Sequence, residues 1–487
     1  MKKLMALILA VMMALSFASV AEEDIIKLTW AQGTGSTAPI DNAMVLEELN
    51  KMSRELIGVE MDIQYFTDDQ LSNSINTGEV FDLYFTCGWY NNFNKRVSEG
   101  LFLDLNGLVE QYAPDLWASM TQDVWNLAKS FDGGLYAVPV KKDYAMMNFI
   151  TYPTEIAEEL GFEIPDRIES FGELTPFLTA WKEAYPEEYP YLVGGGARGY
   201  DSSFDFIDRI SGIGCVFGTT EVVTVYDDPA IVERLEALAE WYDLGIINPD
   251  AAQLTETAID TSKKRIDTVQ AWPGYDYSVS NGYDTSMTCY FGPHLSADSV
   301  QGSMNALSVT LADQPEKIEA ALKYLELCHT NQLFVDTLRF GVQGYHWNYV
   351  TEGPAAGGVQ RTEVGSDNYA PWSFSQPAYF ETSITVSADQ VAGTAKAPVL
   401  NQYDLYYHEV ETNAKSSAMK GFTMDLTPYA QQLAEMQAIK DEYYASFATG
   451  TIAFEEVREE FLGKMYAAGL QDMIDAAQEQ LDAWLAQ

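Results

Sequence analysis

Four short clusters hold the residues of this 487-residue sequence best equipped for chemistry. They are Trp89-Tyr90-Asn91-Asn92, Arg198-Gly199-Tyr200-Asp201, Trp272-Pro273-Gly274-Tyr275-Asp276-Tyr277 and Gly344-Tyr345-His346-Trp347. Each sets flat aromatic rings beside amide, carboxylate, guanidinium or imidazole groups. Such rings stack on the apolar C–H faces of sugars, and the polar neighbours hydrogen-bond sugar hydroxyls. The chain has 10 Trp and 29 Tyr, enough to furnish a core as well as a site. Packing therefore competes with ligand contact at every one of these positions, and placement after a strand end favours contact.

The pattern holds no catalytic constellation. With 72 Asp and Glu residues, carboxylate pairs arise at any chosen spacing, so the pair that a glycosidase sets about 5–10 Å apart leaves no signal. There is no G-x-S-x-G elbow and no P-loop. Gly194-Gly195-Gly196 runs on to Arg198 and Tyr200, not to a G-x-G-x-x-G pattern, and reads as a loop. The histidines stand at 294, 329, 346 and 408 and the cysteines at 87, 215, 289 and 328, without H-E-x-x-H, C-x-x-C or an EF-hand loop. Neither a metal nor another cofactor is expected. Cys328 falls on the apolar stripe of Ile318, Leu322 and Leu325 and reads as a packed thiol. A formal net charge of −44 repels nucleic acid and anionic surfaces.

The elements that must position these clusters begin after an export segment. Lys2 and Lys3 precede the apolar run Leu4–Leu15, and Ser19-Val20-Ala21 supplies small residues at a cleavage site. Residues 1–21 read as a secretory signal peptide, and no cysteine nearby offers a lipid anchor. The exported remainder is long enough for two domains. Its first third alternates strand and helix. Ile25–Ala31 is a strand. A helix after Asp41 carries Val45, Leu49, Met52 and Leu56. Val59, Met61, Ile63 and Tyr65 alternate with polar residues as a half-buried strand, and Phe81–Thr86 is a third. Strands separated by helices pair in parallel, and ligands then sit beyond their carboxyl ends, at loops 32–37 and 87–94. The stretch 341–420 is rich in Gly, Pro, Ser and aromatics and reads as long loops. Three amphipathic helices close the chain.

Gly133-Gly134-Leu135-Tyr136-Ala137-Val138-Pro139-Val140 combines a turn, a short strand and a proline that suits no central strand. This segment resembles the first hinge of family 1 extracellular solute-binding proteins, the receptors of ATP-driven sugar importers. Phe81–Thr86 with Ser98–Leu105 resembles the third strand and following helix of that family. Trp241-Tyr242…Gly245-Ile246-Ile247 is similar to its "WY…G" helix end, and Ala271–Gly274 to the place of a ligand-facing tryptophan. Gly341–Trp347, Gly421-Phe422-Thr423 and Gln478–Trp484 resemble a lipoprotein-like branch with a distinctive C-terminal domain.

The resemblance implies a two-lobed α/β fold of the type II periplasmic-binding-protein kind. Its three hinge crossings fall near 138–142, 292–300 and 340–346. Lobe 1 is then 22–138 and 297–342, lobe 2 is 139–296 and 343–420, and 421–487 is a helical extension packed on a lobe. It also implies a monomeric, non-enzymatic receptor for a membrane ABC permease, with a small-molecule ligand between the lobes. Trp89, Tyr90, Trp272 and Tyr275 would stack on sugar rings, Arg198 and Asp201 would bind hydroxyls, and Tyr136, Tyr200, Tyr345 and Trp347 would line the cleft. A peptide ligand, or a secreted glycoside-active enzyme, remain alternatives.

Overall fold

A computed structural model describes residues 25–486 except 36, 198, 256, 257, 261 and 372–379. The expected export segment and Arg198 therefore lie outside the described residues. In chain order the strands are β1 (Ile26–Gly33), β2 (Val59–Phe66), β3 (Leu83–Thr86), β4 (Ala137–Pro139), β5 (Met146–Pro153), β6 (Phe204–Asp208), β7 (Ile213–Val216), β8 (Val222–Thr224), β9 (Asp267–Gln270), β10 (Thr285–Leu295), β11 (Met304–Leu307), β12 (Trp347–Tyr349), β13 (Val359–Arg361) and β14 (Lys415–Ser416).

Two sheets build two lobes. The first runs β2-β1-β3-β11-β4, and the second runs β14-β10-β5-β9. In the first, β1 pairs in parallel with β2 and β3, as expected of strands joined by helices. Val59, Met61 and Ile63 of β2 are buried on one face, opposite helix Asn42–Ile57, whose Val45 and Leu49 pack inward. That helix stops at Gly58, whose left-handed backbone lets its N–H reach the Arg54 carbonyl. Pro139 closes β4 at the sheet edge, where a missing N–H leaves no ladder gap.

The second sheet is mainly antiparallel: β10 and β9 flank β5. Its core is continuous with helix Pro229–Asp243 and with the C-terminal helices Ala430–Phe447, Phe454–Ala467 and Leu470–Leu485. Tyr226 of the second lobe sits among Phe447, Phe454 and Phe461, with ring centroids 4.9–5.8 Å away. Gly450 comes so close that a Cβ there would lie 2.1 Å from the Leu238 carbonyl oxygen. The Ala197 N–H donates to the Ala448 carbonyl at 2.7 Å, and Val222 N–H to Gln478 Oε1 at 2.8 Å.

The chain leaves the first sheet after Pro139 and returns at Met304. The third crossing departs from the expected place. Residues 341–369 stay on the first lobe, because His346 and Asn368 both hydrogen-bond Asp41 (3.1 and 2.9 Å) and Tyr369 is buried with its hydroxyl on the Leu338 carbonyl. The expected second-lobe segment 343–420 is thus divided, and among the described residues its second-lobe contacts begin at Phe380. All four cysteine thiols are buried and free. Among the described residues no helix is long and apolar enough to cross a membrane.

Candidate ligand-binding site

Register places the site. Met304 pairs with Thr86 on one side and with Pro139 on the other. The carboxyl ends of β3 and β4 and the start of β11 therefore share one edge of the first sheet, and two crossings depart there. Loop 87–92 hangs from this edge. Its pivot is Asn91, held in the left-handed region at φ 43°, a conformation asparagine tolerates better than most residues. The Thr86 hydroxyl donates to the Asn91 carbonyl (2.6 Å), Asn91 N–H to Asp68 Oδ1 (2.6 Å) and Arg96 Nε to Asn91 Oδ1 (2.8 Å). This bracing turns Trp89 outward, 52% exposed, with its ring 6.2 Å from Phe85. Lys142 lies close by: it donates to Ser303 Oγ at 3.5 Å, and its charge partly offsets the burial that pushes the Cys87 thiol up to about 12.

The second lobe contributes a denser aromatic group. The Trp272 ring lies 4.7 Å from Tyr275, 4.9 Å from Phe380 and 5.4 Å from Tyr406. Phe380 stacks on Tyr403 at 4.5 Å with planes 9° apart. Trp272 itself is buried, and its Nε1–H has no hydrogen-bond partner among the described residues. Tyr275 and Tyr403 are half-buried and border a partly open cavity of about 230 Å³.

Residues 380–386 form a strap across this region. The Phe380 N–H donates to the Lys141 carbonyl at 3.0 Å, and Lys141 pairs with Glu381. The Ser383 N–H and hydroxyl both bond Asp336 of the first lobe, at 2.8 and 2.7 Å. Val359 N–H reaches the Ile384 carbonyl at 2.8 Å. One short segment thus touches the first crossing, the first lobe and the aromatic group of the second.

The structure separates the residues that the sequence put forward. Trp89 is open to solvent, and Tyr275 stands at the cavity. Tyr90, two per cent exposed, is turned inward with its hydroxyl on the Phe66 carbonyl at 2.9 Å, so its face is not offered to a ligand. Trp347 is fully buried with Nε1 on the Gly341 carbonyl at 2.6 Å, a core residue of the first lobe's flank. Tyr200 is buried against Tyr444 of the C-terminal helices, ring centroids 6.2 Å apart. Asp201 pairs with Arg209 at 3.3 Å. Tyr136 donates its hydroxyl to Asp132 at 2.6 Å, which holds that phenol up at about 12. Tyr345 is exposed but rests on His346 at 4.8 Å, over the Asp41 contact. Phe380, Tyr403 and Tyr406, which the structure gathers about Trp272, were not singled out from the sequence. The crowded Tyr403-Asp404-Leu405-Tyr406-Tyr407 run was the one available hint of them.

Residues 418–486 match the family described as a domain of unknown function, DUF3502. A curated relative from Streptococcus pneumoniae serotype 4, named carbohydrate ABC transporter substrate-binding protein, is 21% identical over 454 residues, covering 91% of this chain and 88% of its own length. The crystal structure of the N-glycan transport solute binding protein NgtS from Streptococcus pneumoniae superposes with a TM-score of 0.77 at 19% identity, covering 95% of this chain and 99% of that one. Its complex with Man5GlcNAc gives 0.71 at 20% identity, over 95% and 99% of the two chains. Two sheets bridged by crossings, the C-terminal helices and these near-full-length superpositions together give the chain the two-lobed fold seen in those solute-binding protein structures.

Proposed function

We propose that the protein is the extracellular receptor of an ABC importer and that it binds an oligosaccharide between its lobes. The observation that carries this reading is the pairing of two aromatic surfaces about one set of crossings. Trp89 projects from the carboxyl edge of the first sheet, and Tyr275 and Tyr403 border a cavity of the second lobe. The relative named for carbohydrate transport and NgtS, crystallised with Man5GlcNAc, support the same ligand class. A sugar held by both lobes favours the closed arrangement by its differential contacts, and the closed form is what the permease recognises. Trp89 and Tyr275 stack on sugar rings, Asp201 and Lys142 bond hydroxyls from either side, and the receptor works as an exported monomer without metal or cofactor.

A thermal-shift panel tests this. The exported chain is screened against Man5GlcNAc, maltopentaose and cellopentaose, and against pentaalanine and trilysine. A ligand at 100 times its Kd stabilises by about 2.7 kcal/mol. A peptide response without any sugar response overturns the carbohydrate reading.

A further inference from the structure

We infer that the cavity beneath the strap is an end-reading subsite, which takes one terminal sugar unit and fixes the register of the rest of the ligand. This rests on the carbohydrate reading above and goes further, because it makes the receptor selective for a free chain end.

Three features carry it. The first is size. At about 230 Å³ the cavity falls below the roughly 300–1,000 Å³ of sites that enclose a whole small ligand, so it holds one part of a longer one. The second is shape. Its inner side is made of buried Phe340, Thr382, Ile384 and Gln390, whereas Thr385 and Gly274 on its border are exposed. Buried residues close the space on one side and exposed residues leave it open on the other, a shape that suits the entry of a chain end. Gln390 is held there by a capping box with Ser387, its side-chain Oε1 accepting the Ser387 N–H at 3.0 Å and its backbone N–H donating to Ser387 Oγ at 3.1 Å. The third is chemistry. The Tyr275 and Tyr403 rings offer stacking surface, Thr385, Gln390 and Gln402 offer neutral hydrogen-bonding groups, and Arg339 and Asp276 add a charge of each sign. Rings beside amides and hydroxyls suit a polyol with one apolar face. The walls come from the first lobe at Phe340, from the strap and from the second lobe at Tyr275, so the occupant touches all three.

Isothermal titration of Man5GlcNAc, maltopentaose and cellopentaose tests the inference, each sugar with free ends, with an aminobenzamide on the reducing end, and with a benzylidene group on the non-reducing end. The variant Thr385→Trp fills the mouth from an exposed position. It should keep the ligand-free melting temperature and lose at least tenfold in affinity, and one of the two end-capped forms should bind wild type at least tenfold more weakly than the free sugar. Gln402→Ala should give a smaller loss in the same direction. Binding that survives Thr385→Trp and tolerates both caps overturns the subsite alone. Wild-type protein that binds none of the three sugars overturns the carbohydrate reading and the subsite with it.

Discussion

Lys141 and Glu381 form an ion pair that fastens the first crossing to the strap. The Lys141 ammonium also lies 4.5 Å from the centre of the Tyr407 ring, and both partners are largely withdrawn from water. Removing one partner leaves the other charge half-buried, a loss that exceeds the net worth of the pair. Lys141→Ala and Glu381→Ala should each lower unfolding stability by about 2 kcal/mol in urea titrations. The double variant should fall short of the sum by more than 0.5 kcal/mol, since the two groups share one contact. Additive losses would show that the pair does not act as a unit.

Two tryptophans of the first lobe should behave in opposite ways. Trp89→Ala removes an exposed ring, so the ligand-free protein should melt within a degree or two of wild type while oligosaccharide affinity falls by about 1–3 kcal/mol. Trp347→Ala empties a core position and should cost about 3–5 kcal/mol of stability whether or not ligand is present. Calorimetry on the two variants separates the roles, and a Trp89 variant of unchanged affinity would remove that residue from the site.

Asp205 gives the second lobe a pH signature. Burial pushes its carboxyl up to about 7, and a hydrogen bond from the Ser417 hydroxyl only partly opposes this. Between the unfolded value near 4 and that level, the folded chain keeps a proton that the unfolded chain releases. The stability this provides is fully present below about pH 4 and is lost as pH rises to about 7. Asp205→Asn removes the slope. The variant should gain on wild type from pH 5 to pH 7, by about 2.7 kcal/mol at about 1.36 kcal/mol per pH unit, and little more up to pH 8. Burial lowers His294 to about 4, which acts in the other direction, but both proteins share it and it cancels in the difference. Parallel melting curves in urea across this range would detect the divergence.

Gly450→Ala should loosen the C-terminal helices. Glycine is required there by a φ of 71° and by the Leu238 carbonyl, which a Cβ would strike at 2.1 Å. The loss should reach about 3 kcal/mol, and limited proteolysis should then cut near residue 450 before it cuts the lobes.

The first sheet was legible because its signals are local, whereas no strand of the second sheet was read from the sequence. Val59, Met61 and Ile63 alternate strictly, and four consecutive buried residues mark β3. The site was legible only in outline. Trp89 and Tyr90 are neighbours of similar character, yet one faces water and the other faces in, because the Phe66 carbonyl, 24 positions away, claims the Tyr90 hydroxyl. Trp347 was misread for the same reason, since Gly341 and the core about Phe340 take it. The strap alternates, with Phe380, Thr382, Ile384 and Val386 buried, but its partners are distant. Its backbone bonds go to Lys141 and Val359, and its Ser383 bonds to Asp336, so nothing within residues 380–386 announces where it packs. The path of residues 341–369 likewise depends on Asp41, some three hundred positions away.

The close approach at Gly450 has a practical meaning. The last three helices share one core with the second lobe, so whatever is attached to the chain's end is carried rigidly with that lobe. A fluorophore placed there, with a second on the outer face of helix Asn42–Ile57, turns any change in the separation of the two lobes into an optical signal.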